Sequence, residues 1–182
     1  FTFANVARVA QAAADYWNAE RGTTNAEKKV VIGYDRRFFS DRFAQTSAEV
    51  FAGNDFQVIL TPEPTPTPSV SFAVKDYGAI GGVMITASHN PPIFNGFKLK
   101  SHYGGSSSSE ECKAIEGFLD RNPVRSKNLA EAIKAKQVVI KDVRPAHYAA
   151  LKRLVDFKLI AKSKLRFAHE ALFGVGAGCF EQ

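Results

Sequence analysis

The residues best suited to chemistry lie in one short segment, TASHNPP, at residues 86–92. Ser88 supplies a hydroxyl nucleophile, and His89 supplies an imidazole that could act as a base. The two prolines restrict the backbone and predict a stiff loop. Direct activation of Ser88 by His89 is unfavourable, because adjacent side chains point apart and the flanking residues are not G-x-S-x-G. The simplest interpretation is a structural turn, in which Ser88 and Asn90 bond the backbone.

The alternative to a structural turn is a catalytic one, in which Ser88 carries a phosphoryl group. A phosphoserine bears about −1.5 to −2 charges at neutral pH and needs cations and backbone donors around it. Cationic side chains occur at predicted strand ends or on the next strand: Arg36, Arg37, His89, Lys98 and Lys100. A stiff loop suits phosphoryl transfer, because positioning and charge stabilisation supply most of its catalysis.

Strands and helices alternate along the chain, which predicts an α/β fold: a three-layer α/β/α domain with a mixed, largely parallel sheet. The predicted strands are KVVIGY, FQVIL, GGVMI, FKLK, QVVIK and KLRFA. Thr2 and Ser40 are predicted to cap helices, and the serine run SSSS at residues 106–109 is predicted to be a loop that ends in a helix cap. Residues 121–136 are polar and include the hinge-like segment RNPVRSKN. Ligands of such sheets gather beyond the carboxyl ends of strands. We therefore expect Ser88, Lys98 and Arg37 on one rim, with Ser88 exposed.

The positive charge favours a protein that binds anions, and two cysteines far apart without metal-ligand spacing, Cys112 and Cys179, favour a reducing compartment. The 182 residues are 45% hydrophobic, and the net charge is +6. No apolar run could span a bilayer and no signal peptide pattern opens the chain, so we expect a cytoplasmic protein without membrane contact. The lysines and arginines are scattered, so a nucleic-acid partner rests on charge alone and is not expected. A small phosphorylated ligand fits the charge equally well.

Four segments together resemble the α-D-phosphohexomutases, the family of phosphoglucomutases and phosphomannomutases. TASHNPP followed by NGFK resembles the family's catalytic loop, and GYDRR resembles its G-x-D-x-R turn. PTPTP and FGVGAG resemble its proline-threonine connector and the glycine-rich turn that opens its second domain. The resemblance implies a fragment of a longer protein, with residues 1–140 as domain one and residues 141–182 as the incomplete start of domain two.

The resemblance also implies a role for each site residue. Ser88 would exchange a phosphoryl group with hexose 1- or 6-phosphate through a bisphosphorylated sugar. Lys98 would transfer protons, and His89 would contact the phosphate. Arg37 and Asn90 would bind substrate or phosphate, with Asn90 also shaping the loop. Mg²⁺ would be bound by an oxygen of the Ser88 phosphate and by aspartates outside this chain, and glucose 1,6-bisphosphate would be the activating phosphoryl donor.

Each of these residues also has a structural interpretation. From the alternation of FKLK alone, Lys98 and Lys100 are both solvated strand lysines, and only the resemblance gives Lys98 a further role. His89 can be satisfied by the turn backbone. Asp35 and Arg37 can form a surface ion pair, worth about 0–1 kcal/mol.

Two functions from different classes therefore stay open. The first is a phosphohexomutase whose partners are a phosphorylated hexose and the remaining domains of the same polypeptide; the isolated chain would be nearly inactive. The second is a mutase-like module without catalysis that binds anions or a partner. The sequence does not distinguish glucose, mannose and glucosamine phosphates as substrates.

Overall fold

The computed structural model of the protein describes residues 1–20 and 28–181. In these residues the helices are α1 Phe3–Glu20, α2 Ser40–Gly53, α3 Thr67–Asp76, α4 Ser109–Glu116, α5 Leu129–Lys134, α6 Arg144–Leu154 and α7 Phe157–Lys162. The strands are β1 Lys29–Tyr34, β2 Gln57–Leu60, β3 Gly81–Ile85, β4 Phe97–Ser101 and β5 Val138–Ile140. A short 3₁₀ turn, Cys179–Glu181, follows.

The described strands form one mixed sheet in the order β4-β3-β1-β2-β5. β1 pairs in parallel with both β2 and β3, and β5 adds to β2 in parallel. Only β4, at one edge, runs antiparallel to its neighbour β3. The prediction of a mixed, largely parallel sheet is confirmed, and the order brings the carboxyl ends of β1 and β3 side by side.

Helices cover both faces of this sheet, because its buried strands carry apolar side chains in both directions. On one face, Ile32 and its neighbours pack against α1 and α2, where Trp17 stacks on Phe51 with ring centroids 5.5 Å apart. Each such fully buried side chain contributes about 1.5–3 kcal/mol. On the other face, Val31 and Met84 pack against α3. The predicted three-layer α/β/α arrangement is therefore present.

The α6 helix packs against α3 on this second face. His147 Nδ1 lies 2.9 Å from the Ser69 hydroxyl oxygen. Arg144 at the start of α6 pairs with Asp142 and Glu63. Within the part of the chain that the structure describes, no helix is both long and apolar enough to cross a membrane.

Two sequence predictions about elements were wrong, and one helix was not predicted. KLRFA is not a strand: its side chains Leu165 and Phe167 are 82% and 74% exposed, and no described strand pairs with it. The polar residues 121–136 contain the helix α5, whose cap Asn128 accepts bonds from two backbone N–H groups. Ser40 does not cap α2, because Phe39 occupies the cap position with a left-handed backbone.

Two other predicted caps are confirmed. The backbone N–H of Asn5 donates to Thr2 Oγ1 at 3.2 Å, which fixes the start of α1. Ser108 accepts a bond from the Glu111 N–H at 3.1 Å and caps α4. The serine run SSSS is thus a loop that ends in a helix cap.

Candidate active site at the serine loop

The serine loop, residues 86–96, begins where β3 ends and leads into β4. β1 lies beside β3 with Tyr34 aligned to Ile85, and the Asp35 N–H donates to the Ile85 carbonyl at 3.1 Å. The polar residues after β1 and those after β3 therefore emerge at the same rim. The predicted placement of Ser88 and Arg37 on one rim agrees with this geometry.

Ser88 lies exposed in a backbone conformation that non-glycine residues rarely adopt. Its φ is 57°, in the left-handed region. Its N–H donates to Thr86 Oγ1 at 3.0 Å, and the Asn90 N–H donates to the Ala87 carbonyl at 3.1 Å. A non-glycine residue persists in this region only where its surroundings hold it, and such positions cluster at functional sites.

The Arg37 guanidinium makes many of the contacts that fix the backbone of this loop. Its Nε donates to Asp35 Oδ2 at 3.1 Å. Its two η nitrogens donate, at 2.7–3.0 Å, to four loop carbonyl oxygens: those of Ser88, Asn90, Pro91 and Phe94. An arginine side chain has five N–H groups, and all five are used here. Phosphate binding by Arg37 stays a prediction, and it would require an N–H to leave one of these acceptors.

Asp35 is held in turn by a chain of polar contacts. Its Oδ1 accepts bonds from the Arg37 backbone N–H at 2.9 Å and from Ser40 Oγ at 2.8 Å. Ser40 Oγ also accepts a bond from Asn95 Nδ2 at 2.9 Å. The Asp35 and Arg37 side chains are only 12% and 13% exposed, so the pair is not an ordinary surface ion pair.

Ser40 and Asn95 are site residues that the sequence analysis missed. Asn95 precedes the glycine of NGFK, and Ser40 follows Asp35 by five residues. Neither spacing reveals that the two side chains bond each other. The available signal was the position of Ser40 at a predicted helix start beside a charged turn. We interpreted that position as a helix cap.

An open cleft of about 580 Å³ lies over the serine loop. This volume is in the usual range for small-molecule sites. Its polar wall includes Arg36, Ser88, His89 and Asn90. Residues 172–175 close another side, and Thr67 at the start of α3 also borders it. Ser88, His89 and Asn90 are all exposed, so a ligand in the cleft reaches them directly.

The two lysines of β4 differ, although both lie on one face of the sheet. Lys98 pairs with Met84 and Lys100 with Gly82, so both point toward the α3 side. Lys98 is exposed and shares that face with Met84, which borders the cleft, but Lys98 itself does not line it. Its predicted position on the rim beside Ser88 stays a prediction.

Lys100 is not the solvated lysine that the alternation predicted. It is only 5% exposed, and its Nζ lies 3.4 Å from Ser106 Oγ. Burial lowers the pKa of Lys100, and the nearby charge of Lys98 lowers it further. Lys100 is buried because α3 and the turn at residues 102–106 pack over this end of β4.

The described residues do not form a magnesium site by themselves. Within residues 1–20 and 28–181, no group of three or more His, Cys, Asp or Glu side chains could hold a metal ion. Mg²⁺ takes six oxygen ligands in near-octahedral geometry. Asp35, which borders the cleft, is already bonded to Arg37 and Ser40. A metal here would need ligands from other parts of the protein.

Comparisons with known proteins agree on one family. The family model described as phosphoglucomutase/phosphomannomutase, alpha/beta/alpha domain I, matches residues 1–125. A phosphoglucomutase of Staphylococcus epidermidis is 34% identical over 155 residues, which cover 82% of this chain and 28% of the relative. A glucose 1,6-bisphosphate synthase of Mus musculus is 33% identical over 162 residues, which cover 82% of this chain and 26% of the relative. The chain thus spans less than a third of these curated relatives.

Solved structures show the same likeness. A candidate phosphomannomutase from Thermus thermophilus superposes with a TM-score of 0.72 at 39% identity, over 87% of this chain and 33% of that one. The open form of parafusin, a phosphoglucomutase from Paramecium, superposes with a TM-score of 0.74 over 94% of this chain and 36% of that one. At 17% identity, the parafusin match supports the fold alone.

Proposed function

Because this chain belongs to the phosphoglucomutase/phosphomannomutase family, we propose that it is the phosphoserine-carrying part of an enzyme that interconverts hexose 1-phosphate and hexose 6-phosphate. The observation that carries the proposal is the placement of Ser88. It is exposed beside an open cleft, on a loop whose backbone is fixed by prolines and by Arg37. A fixed nucleophile is what phosphoryl transfer requires.

In the proposed cycle, the phosphoryl group on Ser88 passes to the free hydroxyl of a hexose phosphate and gives a bisphosphorylated sugar. The sugar then turns, and its other phosphoryl group returns to Ser88 Oγ. Each transfer breaks one P–O bond and forms one, and moves one proton from the attacking hydroxyl to the leaving oxygen. We assign this proton transfer to Lys98, which is exposed on the cleft side of the sheet.

The loop residues beside Ser88 have supporting roles in this proposal. His89 borders the cleft and is exposed, so its ring can contact the phosphate. The Asn90 side chain borders the cleft too, while its carbonyl accepts a bond from Arg37 and fixes the turn. Substrate or phosphate binding is therefore proposed for both residues.

Other groups must come from outside this chain. An oxygen of the Ser88 phosphate is the ligand that the described residues would offer to Mg²⁺, which would draw negative charge off the transferring group. The donor that first phosphorylates Ser88 is proposed to be glucose 1,6-bisphosphate. The cytoplasmic location expected from the sequence is also kept as a proposal.

Residues 141–182 are proposed to begin a second domain. Exposed apolar side chains are numerous there, among them Leu154, Leu165 and Phe173. Large groups of exposed apolar side chains are unusual on the surface of a monomeric soluble protein. The remaining domains of the same polypeptide are the proposed partner that covers these side chains.

A mutase assay on the complete gene product tests the proposal. Glucose 1-phosphate is supplied with Mg²⁺ and glucose 1,6-bisphosphate, and glucose 6-phosphate is detected with a coupled dehydrogenase. Ser88→Ala should lower turnover by about 10³-fold or more, because the other hydroxyl of the serine loop, that of Thr86, is buried and bonded to the loop backbone. The matched control is Ser109→Ala at an exposed helix start, which should keep normal turnover. An inactive wild-type protein would favour the non-catalytic binding module instead.

A further inference from the structure

The guanidinium of Arg37 faces the serine loop rather than offering free donors to the cleft. Four of its five N–H groups bond loop carbonyls, and the fifth bonds Asp35. We infer that Arg37 is a positioning residue that clamps the serine loop, and that it does not bind phosphate. The consequence for phosphoryl transfer rests on the proposed function, whereas the clamp itself does not.

The clamp acts where the loop backbone is least favourable. Arg37 Nη2 bonds the carbonyl of Ser88 at 2.8 Å and that of Asn90 at 2.7 Å, on both sides of His89. Ser88 itself has the left-handed backbone. Two charge-assisted bonds that converge on one nitrogen hold this turn in a single geometry. Without them, Ser88 is free to relax toward the commoner right-handed or extended conformations.

The same guanidinium joins the first half of the loop to its second half. Nη1 bonds the carbonyls of Pro91 and Phe94 at 2.9 and 3.0 Å. One residue further along, Asn95 bonds Ser40, which bonds Asp35, which in turn bonds Arg37. This closed ring of contacts fixes the guanidinium against the loop.

A positive charge alone at position 37 cannot make this set of hydrogen bonds. A lysine has three donors on one nitrogen, whereas the arginine fork places five donors in a plane. Lysine in place of Arg37 could reach only part of the acceptor set. A residue that acts mainly by attracting a phosphate would tolerate this change better than a clamp would.

The test is peptide-resolved hydrogen–deuterium exchange on the complete gene product, comparing wild type, Arg37→Lys and Arg37→Ala. The control is Arg42→Lys, because Arg42 is an exposed arginine of α2 that does not line the cleft. Both Arg37 variants should raise exchange in residues 86–96 by about tenfold or more, since several bonds to the loop are lost. Exchange in β1 and β3 should not change, and the control should match wild type.

The kinetic readout separates positioning from binding. For both Arg37 variants we expect kcat to fall by about 10²-fold, with KM for glucose 1-phosphate within about threefold of wild type. Unchanged loop exchange with a raised KM would overturn the inference and make Arg37 a phosphate ligand. Faster exchange that spreads through β1 and β3 would also overturn it, because Arg37 would then stabilise the whole fold. If the wild-type protein has no mutase activity, the proposed function fails, and the exchange data still decide the clamp.

Discussion

Gly96 lies against Thr86 at the base of the serine loop, where no larger residue fits. The Thr86 N–H donates to the Gly96 carbonyl at 2.9 Å. A β carbon on Gly96 would stand 2.7 Å from the Thr86 carbonyl oxygen, well inside van der Waals contact. The glycine of NGFK therefore lets the two ends of the loop meet, and so fixes where Ser88 projects.

Replacing Gly96 tests this close approach. Gly96→Ala should lower the free energy of unfolding by about 1–3 kcal/mol, because the backbone must shift to relieve the overlap. Urea denaturation followed by circular dichroism measures the change. The control is Gly176→Ala, whose added carbon would lie 3.5 Å from the His169 ring, an ordinary contact. Equal stability of the Gly96→Ala and wild-type proteins would contradict the contact.

The proposed roles of Lys98 and Ser88 can be tested independently, because each residue acts in a different step. Lys98→Ala should lower mutase turnover of the complete gene product by about 10²–10⁴-fold, because a proton carrier is lost. Ser88 should still accept a phosphoryl group from glucose 1,6-bisphosphate, as intact-mass spectrometry would show. The control Lys113→Ala removes an exposed lysine of α4 and should leave turnover unchanged. Normal turnover in Lys98→Ala would return Lys98 to a solvated strand position.

Lys100 gives a prediction with a defined pH dependence. Its pKa is lowered in the folded protein because it is buried, so at neutral pH its charge destabilises the fold. That penalty is fully present below the folded pKa and disappears as pH rises toward the ordinary lysine value of about 10.4. Lys100→Met should therefore raise the free energy of unfolding at pH 7, on the order of 1 kcal/mol.

The measurement for Lys100 is urea unfolding at pH 7 and again near pH 10. The gain from Lys100→Met should shrink at the higher pH, whereas Lys113→Met at an exposed position should show no gain at either. A Lys100→Met protein that is less stable than wild type at pH 7 would contradict the account. It would show that the bond to Ser106 outweighs the cost of burying the charge.

Most of the fold could be predicted because its strands are short, apolar and bounded by turn residues. KVVIGY and GGVMI are buried in parallel pairing, as their composition indicates. KLRFA has the same local pattern, but no strand among the described residues lies beside it, and a strand exists only through its partner. The α5 helix was missed because it has six residues, although Asn128 with Glu131 three residues later is a helix-start signal.

The candidate site was only partly predictable, for a similar reason. That Arg37 approaches Ser88 follows from two parallel strands ending at one rim. The number and direction of its bonds do not follow, because they depend on where the loop carbonyls point. Lys98 and Lys100 have identical local patterns, and only the cover over one end of β4 makes one exposed and the other buried.

If Ser88 carries the transferred phosphoryl group, locating that group in the protein is the decisive experiment. The complete gene product would be incubated with glucose 1,6-bisphosphate and Mg²⁺, digested, and sequenced by tandem mass spectrometry. One phosphoryl group should be found on Ser88, and it should be lost again when excess glucose 1-phosphate or glucose 6-phosphate is added. A protein that turns over substrate without a phosphoryl group on Ser88, or with the group on His89 or on Ser106–Ser109 instead, would contradict the proposed role of Ser88.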